Sequence, residues 1–146
     1  MKRTLLCLLL SMLLVTTTAQ AAEKPNAAVD TSRSCTLTLQ YAASGQTVRL
    51  YRAADISSNG RYTLCGAFAG YGIYMPAVTG ADGRAVFTGL SAGMYLVDEA
   101  DMEVGGSTRQ YAPSLIAVPG VGGGGNWRYD VTAAPKYTEK PGGDEP

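Results

Sequence analysis

The 146-residue chain contains no histidine. That removes every His-based triad, His general base and His metal ligand at once. Lysine is nearly as scarce: after Lys2, only Lys24, Lys136 and Lys140 remain. Cysteine is confined to Cys7, Cys35 and Cys65, and there is a single tryptophan, Trp127. Beyond the first fifteen residues no long apolar run and no helical periodicity occurs, so neither a membrane span nor an amphipathic helix is expected in the processed chain. No basic stripe suits nucleic acid. Asp98, Glu99, Asp101 and Glu103 are spaced like a solvated strand end rather than a metal site or an acid pair. Gly122–Gly125 is no phosphate loop, because no Lys-Ser/Thr and helix follow it. No catalytic residue, metal or cofactor is therefore expected, and an enzyme is disfavoured.

What is present begins with a leader. Lys2 and Arg3 precede an apolar run from Leu5 to Val15, and Ala19-Gln20-Ala21 offers the small residues of a cleavage site. Residues 1–21 read as a secretory signal peptide, too short in its apolar part to anchor the chain. Cys7 leaves with it. Removing 21 of 146 residues leaves 125, with ten Lys and Arg against twelve Asp and Glu, a net charge of −2. That length fits one domain. Export and an even count make Cys35 and Cys65 a candidate disulfide. Two small apolar side chains that never meet are the alternative.

Residues 22–33 are polar and irregular, and read as a linker. Strands begin at Cys35: Cys35, Leu37, Leu39 and Tyr41 alternate with polar residues. Thr47 to Ala53 alternates again, with Val48 and Leu50 on one side. Ser57-Ser58-Asn59-Gly60 is a turn, and Arg61 to Ala67 a third strand. Phe68 to Gly80 reads as a loop. Ala85 to Phe87 and Met94 to Glu99 are strands, the second with Tyr95, Val97 and Glu99 on one face. Glu103 to Thr108 reads as a Gly-rich turn, and Gln110 to Val118 as one strand that Pro113 marks as an edge or bulge. Gly120 to Gly125 reads as a flexible loop before a last strand, Tyr129 to Ala133. About seven short strands at regular spacing predict an all-β chain built as a single β-sandwich over residues 34–136. Residues 137–146, rich in Pro, Gly and charge, read as a disordered or extended tail.

Three segments carry a resemblance. Val48-Arg49-Leu50-Tyr51-Arg52-Ala53-Ala54-Asp55, then Phe87-Thr88-Gly89-Leu90-Ser91-Ala92-Gly93-Met94-Tyr95-Leu96-Val97, then Trp127 to Lys136, together resemble the SpaA-like pilin domain. This family of Gram-positive surface proteins has the prealbumin-like, Cna-B-type, immunoglobulin-like fold. The resemblance covers about Ser34 to Lys136. It implies a secreted, cell-surface, cell-wall-associated module used in adhesion, with a sortase, other pilin subunits or peptidoglycan as partners and a host surface ligand as a further one. The family's pilin motif reads W-x-x-x-V-x-V-Y-P-K. Trp127, Val131, Pro135 and Lys136 match it, while Ala133 and Ala134 replace the Val-Tyr pair. The match implies Lys136 as the amine that attacks a sortase thioester. A lysine amine must be neutral to do so, and with an ordinary pKa of ~10.4 it is mostly charged at neutral pH, so the sortase has to deprotonate it. An ordinary solvated lysine beside a core Trp and an edge-strand Pro is the alternative.

The same resemblance brings a second chemistry, an internal Lys–Asn isopeptide bond promoted by a buried acid. Glu99, in the pattern Tyr95-x-Val97-x-Glu99, falls at the acid position. Its partners are missing: no lysine lies in the first strand, and Tyr137 stands where the Asn is expected. No internal isopeptide bond is expected, which leaves Glu99 a satisfied or exposed strand residue and Cys35–Cys65 a substitute staple. The sequence also holds no L-P-x-T-G signal, which the family usually carries beyond this domain. A second function stays open, a secreted soluble module binding a host protein or a carbohydrate through the exposed aromatics Tyr71, Tyr74 and Tyr111.

Overall fold

The computed structural model describes residues 27–65 and 74–142. The leader at 1–21, Lys24, Phe68 and Tyr71 lie outside them. The described chain is all-β, and its core strands form where side chains alternate with period two. In β1 (Cys35–Gln40) the residues Cys35, Leu37 and Leu39 are fully buried while their neighbours are half-exposed. β2 (Thr47–Ile56) buries Val48 and Leu50 in the same core. β3 (Tyr62–Leu64) and β4 (Met75–Val78) are short and largely exposed. β5 (Arg84–Leu90) and β6 (Gly93–Glu99) contribute Ala85, Phe87, Leu90, Tyr95 and Val97 to the interior. Each such aliphatic side chain taken from water stabilises the fold by about 1.5–3 kcal/mol.

The remaining strands are β7 (Met102–Val104), β8 (Ser107–Tyr111), β9 (Ser114–Val118), β10 (Gly120–Val121), β11 (Trp127–Arg128), β12 (Asp130–Ala133) and β13 (Tyr137–Pro141). Two sheets enclose the core. One has the order β12-β1-β5, the other β3-β2-β6-β9 with β4 on the same edge of β2 as β3. β12 lies parallel to β1, with Leu37 opposite Val131 and Leu39 opposite Ala133. A ribbon of order β13-β8-β7 and the pair β10-β11 complete the fold.

Among the described residues the two main sheets hold eight strands, close to the seven expected, but several local expectations change. The segment from Phe68 to Gly80 contains β4. The turn at 103–108 is narrower, with β7 and β8 forming a hairpin around Gly105 and Gly106, both at positive φ. Gln110 to Val118 is two strands, because Pro113 offers no N–H to a ladder and the chain changes sheets there. The glycine loop closes on itself, Gly120–Val121 pairing with Trp127–Arg128.

The described parts of both flanks, residues 27–33 and 137–142, are more ordered than their composition suggests. In the stretch read as a linker, Val29 is buried in the core and its N–H donates to Ser58 O at 2.9 Å. In the stretch read as a tail, Tyr137–Pro141 is a strand paired along its length with β8. A polar segment can do this because ladder hydrogen bonds need only backbone.

Candidate functional site

Of the motif residues, Val131 lies in β12 at the edge of the first sheet, Trp127 precedes it in β11, and Pro135 and Lys136 follow it. Trp127 packs half-buried against the core, and its indole N–H donates to Ala27 O at 2.8 Å. Two residues on, the Tyr129 hydroxyl accepts from the Asp30 N–H at 2.9 Å, and the Arg33 guanidinium lies 4.2 Å from the Tyr129 ring centre. The pair therefore ties the segment before β1 to the closing strand. From there the side chains alternate: Val131, Ala133 and Pro135 are half-buried, while Thr132, Ala134 and Lys136 are exposed. Val131 and Ala133 pack against the core. The alternation runs past the end of β12 and delivers Lys136 to solvent between β12 and β13.

Glu99 lies elsewhere, at the end of β6. It is 7% exposed, so it is not the solvated residue its sequence neighbours suggest, and it is only half satisfied. Its Oε1 accepts from the Tyr41 hydroxyl at 2.8 Å, while Oε2 is buried with no partner. Burial pushes the Glu99 pKa up to about 7; the Tyr41 hydrogen bond opposes this and the Asp98 carboxylate adds to it. The same burial, with the Glu99 charge beside it, drives the Tyr41 hydroxyl strongly upward. Tyr41 is held in place by backbone: its N–H donates to Gly83 O at 2.8 Å, and Gly83 has a φ of +73°. A Cβ at Gly83 would lie 2.5 Å from Tyr41 O, so only glycine fits that approach.

Two further tyrosines extend this pair outward. Tyr111 meets Tyr41 edge-on, with ring centres 5.5 Å apart at 74°. Tyr137 meets Tyr111 at 5.7 Å, and the Arg109 guanidinium lies 4.1 Å from the Tyr137 ring centre. The residue immediately after Lys136 is thereby connected to the buried acid. The sequence pointed to Glu99 and Lys136 separately and did not anticipate this column. The signal was available, since Tyr41 ends the inward run of β1 and Glu99 ends that of β6. Tyr111 is 8% exposed, which removes it from the exposed aromatic set. Tyr74 is exposed and rests on Tyr51 at 5.5 Å, with Arg49 5.3 Å from its ring centre.

Both thiols of the candidate pair, Cys35 and Cys65, are free in the structure. Cys35 faces the core from the first sheet, where burial pushes its thiol pKa up. Cys65 follows β3 on the second sheet, and its thiol sits with the Arg52–Asp55 pair. Among the described residues, no three His, Cys, Asp or Glu side chains are grouped to hold a metal ion, and no helix is long and apolar enough to cross a membrane.

The chain matches no protein-family model and no curated protein sequence. It is similar to solved pilin structures. The full-length major pilin SpaD from Corynebacterium diphtheriae superposes with a TM-score of 0.58 at 28% identity, over 76% of this chain and 31% of that one. The major pilin SpaA from the same organism gives 0.48 at 20%, over 70% and 30%. The group B streptococcus pilus 2b backbone protein gives 0.46 at 17%, over 72% and 41%. The chain thus spans less than half the length of each of these pilins. The described β-sandwich is thus similar to Cna-B-type pilin structures, and the likeness to SpaD supports a SpaA-like pilin domain.

Proposed function

We propose that the protein is a secreted, cell-surface pilin module of structural rather than enzymatic role, and that Lys136 is its acceptor for a sortase. The observation that carries this reading is the placement of Lys136. It is exposed at the end of an alternation that turns Val131, Ala133 and Pro135 inward, just beyond the strand that pairs with β1. The small side chains at Ala133 and Ala134 preserve that pattern in place of the family's Val-Tyr.

In the reaction the neutral Nζ of Lys136 attacks the thioester carbonyl of an acylated sortase. The C–N bond forms, the C–S bond breaks, and the sortase cysteine leaves as a thiolate while the amine's proton passes to a base on the sortase. The pilin side supplies only an accessible, oriented amine. A pilin-polymerising sortase, a fluorescent L-P-x-T-G peptide and the purified chain provide the test. One labelled amide at Lys136, absent from Lys136→Ala, supports the reading. Equal labelling of the variant overturns it.

A further inference from the structure

We propose that Tyr137 is the positioning residue for Lys136, held by an aromatic column rooted at Glu99. The proposal builds on the acceptor reading of Lys136. All five residues of β13 are exposed, so burial of side chains does not hold this strand. Besides its ladder with β8, it is fixed by the Tyr137 ring on Tyr111, by Arg109 over that ring, and by Arg109 Nε, which lies 3.4 Å from Glu139. Tyr111 is buried and edge-on to Tyr41, and Tyr41 donates to Glu99. The column therefore runs from β6, past the end of β1 and through β8, to the residue adjoining Lys136.

On its other side Lys136 is fixed just as closely. Ala133 is the last residue of β12 and pairs with Leu39 of the fully buried β1 face. Only residues 134–136 lie between these two fixed points, and Pro135 has its φ locked. So short a span with both ends held leaves the amine few positions. An oriented nucleophile reacts faster than a mobile one because the ordering entropy has already been lost. Without the Tyr137 ring, β13 keeps an exposed edge ladder and one exposed ion pair, Arg109–Glu139, the kind of element that opens locally at little cost.

The test uses Tyr137→Ala, Tyr137→Phe and Lys136→Ala in the full chain. Trypsin cleaves after Lys136, whereas Lys140 is followed by Pro141 and resists it. Wild type and Tyr137→Phe are expected to be cut slowly after Lys136, and Tyr137→Ala about tenfold faster, with the global unfolding midpoint little changed. With sortase, Tyr137→Ala is expected to lower kcat for the acceptor about tenfold and leave KM for the donor peptide unchanged, with Tyr137→Phe restoring the rate. Equal tryptic rates in wild type and Tyr137→Ala overturn the column, whatever the sortase does. Faster proteolysis with an unchanged sortase rate overturns the positioning role. Labelling that survives in Lys136→Ala overturns the acceptor reading alone and leaves the tryptic comparison to judge the column.

Discussion

The Tyr41 hydroxyl donates to Glu99 Oε1 across 2.8 Å, while the second oxygen of the same carboxyl is buried without a partner. The two residues belong to facing sheets, so this one contact joins both halves of the sandwich. It also makes the core sensitive to the charge state of a single acid.

Stability is expected to fall as pH rises from about 4.5 to about 7. Glu99 has a pKa of about 7 in the folded chain against an ordinary 4.5. An acid with a raised folded pKa binds its proton more tightly when folded, so stability is fully present below the unfolded pKa and is lost as pH rises through the folded one. The whole effect is at most about 3 kcal/mol. Urea denaturation at a series of pH values measures it. Glu99→Gln should flatten the profile across this window, and an unchanged slope in that variant would assign the effect to other groups.

Tyr41→Phe removes the donor to Glu99 and keeps the ring against Tyr111. It leaves both carboxyl oxygens buried without partners, which costs about 1–3 kcal/mol. The loss should be larger at pH 8 than at pH 4, because the ionised carboxylate needs the donor more. A loss independent of pH would show that Tyr41 acts through packing alone.

Trp127→Phe should cost about 1 kcal/mol, the value of one hydrogen bond, because the ring still packs while Ala27 O loses its donor. Trp127→Ala should cost more, about 2–3 kcal/mol, through lost apolar burial. In both variants hydrogen exchange at residues 27–33 should speed up ahead of the core. Unaltered exchange there would mean that Val29 and Tyr129 suffice to hold the segment.

One thiol should react with a bulky disulfide reagent in the folded protein and two after unfolding. Cys35 is fully buried and its thiol pKa is raised, whereas Cys65 is partly exposed. Cys65→Ser should abolish labelling of the folded chain. Absence of any reactive thiol in the denatured protein, reversed by reductant, would instead reveal a bridge.

The strands that build the core were legible because alternation is a local property. Leu37 and Leu39, Val48 and Leu50, and Tyr95 and Val97 each announce an inward face within a few residues. The exposure of Lys136 was legible for the same reason, because it follows the alternation of Val131, Ala133 and Pro135. The strands that escaped notice take their order from partners distant in sequence. Met75–Val78 is short, contains a proline and exposes most of its side chains, and it is a strand only because β2 lies beside it. Tyr137–Pro141 has a polar composition that suits a tail, and it is ordered by the ladder of β8. The Glu99–Tyr41 contact fell between these cases. Tyr41 was read on the face of the buried β1 residues and Glu99 on the face of Tyr95 and Val97, though as a satisfied or exposed residue; their meeting depends on how two sheets face each other, which no local pattern encodes.

The parallel pairing of β1 with β12 has a mechanical meaning. Tension between the segment before Cys35 and the Lys136 side chain pulls these two strands along their length in opposite directions. All their ladder bonds then bear load together in shear. Tension between the Lys136 side chain and the residues that follow takes another route, through β13 alone, and spares the sandwich. Under that second tension, a link made at Lys136 would divide the chain into a load-bearing strap and a domain carried beside it, unstretched.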